Sequence, residues 1–298
     1  MKLLVIGSMG FIGQHCLEHY RAAGHEVWGC DVLPGYSLPR YYRAGPADDP
    51  FGYIFEEQDI DLCINCSGAA NVQESIAQPL RDYQLNTHNV LLLLEAMRRH
   101  RPDCRLINLS SAAVYGNPQA LPVGEQHPTA PLSPYGYHKL HADLLCEEYA
   151  RNFGIKSISL RIFSAYGPGL RKQLFWDLYQ KTQAAQSLEL FGSGQESRDF
   201  IYITDLIRAI DCVQEKAAFD GGCVNVASGV EVTIAEAVAA FTGAIGWEGE
   251  YRFSGKARAG DPDNWQADIT LLQSFGFKPK HTIQTGLQAL HTWLSTLP

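Results

Sequence analysis

The fold of this chain is set by the stretch MKLLVIGSMGFIG, residues 1–13. The apolar run at residues 3–6 predicts a buried parallel strand, because helices cover both faces of such strands. Three glycines follow at every third position, and a helical pattern then runs over residues 14–23. This order of strand, glycine turn and helix predicts a dinucleotide site, in which the pyrophosphate lies over the helix N-terminus.

Each glycine of the turn has its own physical role. Gly7 allows a tight exit from the strand, Gly10 lets backbone approach a pyrophosphate, and Gly13 lets the helix pack closely on the sheet. Phe11 and Ile12 lie between the last two and are candidate cofactor contacts. The spacing is GxxGxxG rather than the common GxGxxG. Because short glycine patterns recur by chance, the surrounding sequence has to support this one.

A second predicted strand, residues 26–30, ends at Asp31. An acid at this point, roughly 20 residues past the glycines, binds the ribose hydroxyls in dinucleotide sites. The alternative is that Asp31 is a turn or cap residue. No Arg or Lys follows before Arg40, so a 2′-phosphate would meet a carboxylate without a cation. The sequence therefore predicts NAD as the cofactor, in preference to NADP.

Strand and helix patterns alternate through the first half of the chain. Strands are predicted at residues 60–65, 104–109 and 155–163, and helices at 51–58, 86–99 and 134–152, while no clear pattern marks a third strand between residues 34 and 50. The alternation predicts an α/β fold with a doubly wound parallel sheet, Rossmann-like, and a smaller C-terminal α/β substrate domain. We expect an NAD-binding domain at residues 1–166, with residues 198–228 returning to it, and a substrate domain at 167–298.

Composition excludes several classes of protein. The 298 residues are 46% hydrophobic and carry a net charge of −8, which gives no electrostatic basis for binding nucleic acid. We expect no membrane partner, since no stretch approaches the ~20 uninterrupted apolar residues of a span. Eight cysteines are scattered along the chain, which fits reduced thiols in the cytoplasm. Cys63 and Cys66 have CxxC spacing but no second pair, so we expect no metal site.

Small residues follow the strand predicted at residues 60–65. Ser67, Gly68 and Ala69 form a loop at its C-terminal end, where a loop of small residues lets a cofactor approach closely. Asn86, at the start of the next long helix, is a further candidate cofactor contact.

The residues expected to carry chemistry lie near two other element ends. Tyr135 and Lys139 are four residues apart on a predicted helix and therefore share a face. A cation beside a phenol favours the phenolate, so we expect the pKa of Tyr135 to fall from ~10 toward neutrality. Ser111 follows the strand at residues 104–109, at the sheet edge where ligands bind. These groups could exchange a proton with a sugar hydroxyl.

With these residues in view, the sequence resembles the extended short-chain dehydrogenase/reductase family, in its nucleotide-sugar epimerase/dehydratase branch. The matching stretches span nearly the whole chain: GSMGFIG (7–13), SSAAVYG (110–116), SPYGYHK (133–139), LRIFSAYGPG (160–169), GSGQESRDFIYITD (192–205), NVASG (225–229) and ARAGDP (257–262). The resemblance implies bound NAD and an active site of Ser111, Tyr135 and Lys139. It implies that Tyr135 and Lys139 also contact the cofactor. It further implies that Arg198 and Arg258 bind the diphosphate of a nucleotide-sugar.

The chain departs from the family pattern at informative positions. Dehydratases of the family place Asp-Glu after the catalytic hydroxyl, whereas this chain has Ala112 and Ala113, which cannot transfer protons. Decarboxylating members use a Glu that is also missing. A glycine usual in the helix after the fourth strand is replaced by Asn89. The sequence does not decide which residues contact adenine, and Asp48 and Asp49 are the candidates.

Two reactions remain consistent with these departures from the family pattern. One is 4-epimerisation through a transient 4-keto sugar, and the other is reduction of a nucleotide-linked 4-keto-6-deoxy sugar. We favour the NAD-dependent epimerase; a non-catalytic dinucleotide-sensing module would have no need of Ser111, Tyr135 and Lys139. The apolar helices at residues 86–99 and 134–152 predict a homodimer, as the family implies. The residues at 170–176 and around Trp265 are expected to select the base and the sugar, but the sequence names neither.

Overall fold

The structure, a computed structural model, describes residues 1–35, 39–44, 49–256 and 260–297. Within these ranges the strands are β1 Lys2–Ile6, β2 Glu26–Asp31, β3 Tyr41–Arg43, β4 Leu62–Asn65, β5 Arg105–Ser111, β6 Ser157–Ile162, β7 Ser164–Tyr166, β8 Ser187–Leu190, β9 Ser197–Tyr202, β10 Asp220–Val226, β11 Glu231–Thr233 and β12 Glu250–Phe253. The helices are α1 Phe11–Ala22, α2 Gly52–Glu57, α3 Val72–Ala77, α4 Pro79–Tyr83, α5 Asn89–His100, α6 Pro134–Phe153, α7 Gln173–Ala184, α8 Ile203–Lys216, α9 Ile234–Ile245, α10 Thr270–Ser274 and α11 Ile283–Leu294.

A seven-stranded parallel sheet forms the centre of the molecule, in the order β10-β6-β5-β4-β1-β2-β3. Its first strand is buried along residues 3–6, as the apolar run predicts. The strand order reverses between β1 and β4, so a crevice opens at the carboxyl ends of these two strands. The α/β, Rossmann-like fold class is confirmed.

Alternate side chains of β1 enter different cores, because successive residues of a strand point to opposite faces. Leu3 and Val5 pack in the same cluster as Cys16 of α1. Leu4 and Ile6 pack in the cluster that contains Leu94 of α5. Helices therefore cover both faces of the sheet, and the functional groups must lie at its edge and not on a face.

Two smaller sheets complete the described structure. β7 and β11 flank β9, and β8 pairs with β12. β10 returns to the large sheet beside β6, with Val226 opposite Ile162. The domain division at residue 166 stays a prediction. The second half of the chain brings several side chains to the site.

Three elements have bounds that the sequence pattern did not show. β3 lies in the polar region where no strand pattern was visible, because it is only three residues long and pairs on one side with β2. The helix predicted at residues 86–99 begins instead with α4, continues through a π-helical turn, Gln84–His88, and becomes α5. β10 extends over Asp220–Val226, although two glycines precede its apolar part and obscure the strand pattern there.

Helix α9 begins with a capping box, in which the Thr233 side chain and the Glu236 side chain each accept from the other residue's backbone nitrogen. In the described ranges, the chain contains no helix with the length and apolar character needed to cross a bilayer.

Candidate active site

The glycine turn packs as its spacing predicts. Gly7 has a φ of +73°, in the region that favours glycine, and a Cβ there would lie 2.7 Å from the Ser67 nitrogen. A Cβ on Gly13 would lie 2.2 Å from the Gly7 carbonyl oxygen, so α1 can approach the turn only without a side chain. Gly10 is the N-cap of α1, and no side chain of the described residues caps it. The first N–H groups of α1 are thus left for an anion.

Asp31 lies beside this turn, at the end of β2. One carboxylate oxygen accepts a hydrogen bond from the Met9 nitrogen at 2.9 Å, and the other accepts one from the Leu33 nitrogen at 3.2 Å. Asp31 therefore makes the turn contact that we named as its alternative role. A carboxylate oxygen accepts more than one hydrogen bond, so these contacts leave acceptor capacity for a ribose.

The structure corrects the expectation that Asp31 has no cation nearby. β3 brings Arg43 directly opposite Asp31 in the sheet, and the Arg43 Nε donates to the Val32 carbonyl at 3.2 Å. Sequence separation hid this neighbour because β3 was not recognised. Arg40, by contrast, pairs with Glu26 at 3.2 Å.

The loop after β4 faces the same crevice. Ser67, Gly68 and Ala69 line the cavity described below. Gly68 has a φ of +120°, and a Cβ there would lie 2.4 Å from Asn86 Oδ1. The Asn86 side chain is 1% exposed, and neither of its polar atoms has a partner among the described residues. A buried amide without partners is costly, and it fits a polar ligand placed against this loop.

The catalytic candidates meet where β5 ends and α6 begins. Ser133 accepts from the Gly136 nitrogen at 3.2 Å and caps α6. A Cβ on Gly136 would lie 2.6 Å from the Ala113 carbonyl oxygen, so α6 packs directly on the short turn that follows Ser111. This close packing brings the Tyr135 phenol near Ser111, whose hydroxyl acts to lower the pKa of Tyr135.

The electrostatics of Tyr135 differ from the expectation. Burial raises the pKa of Tyr135 to about 12, and this effect exceeds the lowering effect of Ser111. Lys139 does not hold the phenol in its ionised form. Its Nζ donates to the Leu109 carbonyl at 2.9 Å, and burial lowers the pKa of Lys139 to about 8. The prediction of a phenol pKa near neutrality is wrong for the protein without its cofactor, because both groups are desolvated together.

One cavity of about 720 Å³ joins these parts. Ten of the candidate residues line it: Gly10, Phe11, Ile12, Ser67, Gly68, Ala69, Ser111, Tyr135, Lys139 and Arg198. Four further candidates do not line the cavity but contact the glycine turn or the Ser67–Ala69 loop: Gly7, Gly13, Asp31 and Asn86. Arg258 and Asp48 lie outside the described residues. Asp49 accepts from the Gly52 nitrogen at 2.7 Å at the start of α2, a local contact that does not test an adenine role.

The far end of the cavity comes from the second half of the chain. Arg198 lies with its Cζ 5.5 Å from the ring centre of Trp265, and its Nη1 donates to the Ser197 and Asp263 carbonyls. Leu170 and the start of α7 also line the cavity, as expected for residues that select a substrate.

Sequence reasoning missed several lining residues, among them Phe191, Asp177 and Trp293. Phe191 is 53% exposed. In the sequence, its place directly before the turn at residues 192–194 is the signal that could have marked it.

This fold and site define a class of protein. The pattern of the NAD dependent epimerase/dehydratase family matches residues 3–227, and the chain belongs to that family. The resemblance inferred from the motifs is thereby confirmed, and the chain is an NAD-dependent enzyme of the extended short-chain dehydrogenase/reductase type.

The chain is similar to several particular proteins. It is 32% identical to the uncharacterised UDP-glucose epimerase of Bacillus subtilis (strain 168), over 100% of this chain and 99% of that protein. The structure of Thermotoga maritima UDP-glucose 4-epimerase with UDP-glucose matches with a TM-score of 0.91 and 26% identity, covering 99% of both chains. Bacillus cereus UDP-glucuronic acid 4-epimerase, in complex with UDP-glucuronic acid and NAD, matches with a TM-score of 0.88 and 27% identity, again over 99% of both chains.

The site fits the cofactor of this family. The uncapped start of α1, the orphaned amide of Asn86 and the cradle at Gly68 are observations of this chain that suit a dinucleotide. The Ala112 and Ala113 side chains leave no acid or base at the position that dehydratases use, and Ala113 lines the cavity.

Proposed function

We propose that this chain is an NAD-dependent 4-epimerase of a nucleotide-linked sugar. The observation that carries the proposal is the single cavity in which the glycine turn, the Ser67–Ala69 loop, Ser111, Tyr135, Lys139 and Arg198 meet. NAD, held by the glycine turn and the Ser67–Ala69 loop, would supply the hydride acceptor for C4 of the sugar. UDP is the nucleotide in the named relatives, and we propose a UDP-sugar here.

The chain's own residues manage the proton. In its ionised form, which the positive charge of bound NAD would favour, Tyr135 would take the C4 hydroxyl proton as the sugar is oxidised and give it back to the alkoxide when the hydride returns. Ser111 lies beside the phenol and would orient the same sugar hydroxyl. Lys139 contributes a positive charge beneath the cofactor loop, fixed by the Leu109 carbonyl. A positioned general acid–base of this kind supplies ~100- to 10,000-fold in rate.

Substrate anchoring falls to the second half of the chain. Arg198 faces the cavity on a Trp265 platform, and its fork suits a diphosphate. Arg258 remains a predicted second ligand of the diphosphate. An anchored diphosphate lets the free ketone rotate, which 4-epimerisation requires, because the hydride must return to the other face of C4.

The test begins with protein purified without added cofactor. Denaturation should release close to one NAD per chain, since an epimerase regenerates its cofactor within each cycle. The protein should then interconvert UDP-glucose and UDP-galactose, or another 4-epimeric UDP-sugar pair, with no NADH added. Empty protein that converts no such pair, and that consumes NADH stoichiometrically with a 4-keto sugar nucleotide, would establish the reductase and overturn the epimerase.

The cofactor preference gives a first prediction. Asp31→Asn keeps an acceptor for the Met9 nitrogen but removes the charge that repels a 2′-phosphate. With Arg43 opposite, NADP binding should strengthen on the order of tenfold while NAD binding weakens. Titration of both nucleotides measures the change. The double variant with Arg43→Ala is the control and should lose the NADP gain; unchanged NADP affinity in the single variant would remove Asp31 from ribose recognition.

We also propose a homodimer, formed through the outer side of α4 and α6. Leu80, Tyr83, Tyr137 and Leu144 are 70, 40, 50 and 52% exposed, a density of apolar groups uncommon on a monomer surface. Tyr83 lies edge-on to His138 at 5.4 Å, which joins the two helices into one face. These exposed apolar residues lie on α4 and α6, whereas the sequence predicted an interface of the helices at residues 86–99 and 134–152.

A charged residue in this face should disrupt the dimer. Leu144→Glu is expected to shift the protein from dimer to monomer at micromolar concentration, because a carboxylate cannot be buried unpaired at an interface. Light scattering coupled to gel filtration measures the mass. Phe191→Glu, an exposed apolar position on the cavity side, is the matched control and should leave the dimer intact; wild-type protein that runs as a monomer would contradict the proposal.

We place the protein in the cytoplasm. All eight cysteines, each within the described ranges, are free thiols, and five of them are buried. Such usage suits a reducing compartment.

A further inference from the structure

A short segment joins the catalytic helix to the cofactor loop. It runs over residues 82–89, from the end of α4 through the π-helical turn Gln84–His88 to the first residue of α5. We call it the π segment. Single π turns are rare and occur mostly at functional sites, because the extra residue redirects side chains that a regular helix would stack.

The π segment holds α6 at two points. Asp82 Oδ1 lies 2.6 Å from His138 Nδ1, and both side chains are largely buried. The Thr87 hydroxyl donates to the His138 carbonyl at 2.8 Å. His138 stands between Tyr135 and Lys139 on α6, so these contacts act on the turn of helix that carries both catalytic candidates.

The same segment holds the cofactor loop at a third point. Asn89 Nδ2 donates to the Ser67 hydroxyl at 2.8 Å, and that hydroxyl donates to Asn65 Oδ1 at 2.6 Å. Asn65 Nδ2 in turn donates to Asn108 Oδ1 at 2.9 Å. This relay crosses the carboxyl ends of β4 and β5, with Asn65 and Asn108 buried. It fixes Ser67, and with it Gly68, relative to the sheet.

The orphaned amide of Asn86 lies between the two sets of contacts. It packs against Gly68 on the loop side, and the Gly68 position is also close to Lys139 Nζ, which would lie 3.4 Å from a Cβ there. The catalytic helix, the cofactor loop and the orphaned amide are thus mutually adjacent, and the π segment is the element bonded to the first two.

We propose that Thr87 and Asn89 are positioning residues for the epimerase reaction: through the His138 carbonyl and the Ser67 hydroxyl they set the distance between the Tyr135 phenol and the cofactor loop. This inference rests on the proposed function. Neither residue lines the cavity, so each acts through the group that it holds. Displacement of a reacting group by ~1 Å can cost ~100-fold in rate, so these contacts matter for chemistry beyond their contribution to folding.

The two residues should fail in different ways. Thr87→Val keeps the shape but removes the donor to the His138 carbonyl, and it should lower kcat about tenfold or more while KM and NAD content stay within about twofold. Thr87→Ser keeps the hydroxyl and should restore kcat to within about threefold of wild type. Asn89→Asp keeps the shape but cannot donate to Ser67, and it should reduce the NAD retained through purification and raise the NAD dissociation constant about tenfold.

The matched control is Thr242→Val, which removes a buried threonine hydroxyl that donates to the Val238 carbonyl at 3.0 Å in α9. It should change neither kcat nor NAD content. Thermal unfolding of every variant shows whether it is folded; if Thr87→Val fails to fold, Thr87→Ala takes its place in the comparison with Thr87→Ser. Equal kcat in the valine and serine variants of Thr87, or full NAD retention in Asn89→Asp, would overturn the proposal.

Failure of the proposed function is recognised separately. If wild-type protein epimerises no UDP-sugar, the proposed function fails first. In that case two measurements still test the positioning roles. One is the retention of NAD by Asn89→Asp, and the other is the reduction of bound NAD by a sugar nucleotide in a single turnover of Thr87→Val, followed at 340 nm.

Discussion

Tyr135→Phe should lower epimerase turnover by ~100-fold or more while the protein keeps its fold and its bound NAD. The phenol oxygen is the one non-hydrogen atom removed, and the Ser111 hydroxyl beside it is far too weakly basic to accept the C4 proton in its place. The side chain is buried, so phenylalanine fills the same space. The measurement is steady-state conversion of a UDP-sugar, with NAD content determined on the same samples.

Tyr137→Phe provides the matched control. Tyr137 lies on the same helix two residues further on, is 50% exposed and does not line the cavity. This variant should retain wild-type turnover. Turnover near the wild-type level in Tyr135→Phe would remove Tyr135 from the proton transfer.

Lys139→Met should abolish most activity and at the same time stabilise the cofactor-free protein. Lys139 is 7% exposed, and burial lowers the pKa of its ammonium group from 10.5 to about 8. At pH 7 the fold therefore holds a desolvated charge, which costs on the order of 1–3 kcal/mol. A methionine of similar length removes that cost, and the Tm at pH 7 should rise by several degrees.

The pH dependence of stability separates this cause from simple repacking. Between about pH 8 and pH 10.5 the unfolded chain binds a proton at Lys139 that the folded chain has lost, so the contribution of Lys139 to the free energy of unfolding rises with pH across that window. Lys139→Met should lack this rise. Lys156→Met, at a lysine whose side chain is 52% exposed, should keep it. A destabilised Lys139→Met protein would show that the bond to Leu109 outweighs the desolvation.

The sequence was most informative where one residue type has one physical use. Gly7 and Gly13 were identified from their spacing after the first strand, and the constraint on Gly13, where a Cβ would lie 2.2 Å from the Gly7 carbonyl oxygen, is local to the turn. The pairing of Tyr135 with Lys139 followed from helical periodicity alone. These predictions needed no knowledge of which strands are neighbours.

What the sequence could not supply depends on three-dimensional neighbours. Arg43 stands opposite Asp31 through a three-residue strand without a hydrophobic pattern. The raised pKa of Tyr135 depends on how deeply α6 packs over Ala113, which spacing does not encode. Asn89 had no interpretation until the structure placed its amide on Ser67. Arg258 stays a prediction from its motif.

The position of β10 in the large sheet has a consequence for how this protein is made. β6 is buried on both faces and needs β10 to cover its outer edge, yet β10 follows α7, β8, β9 and α8 in the chain. During synthesis, β6 emerges from the ribosome long before its partner and exposes an unpaired, apolar edge. A nascent chain that stops at residue 166 should therefore aggregate or require a chaperone, whereas one that extends past Val226 can close the sheet.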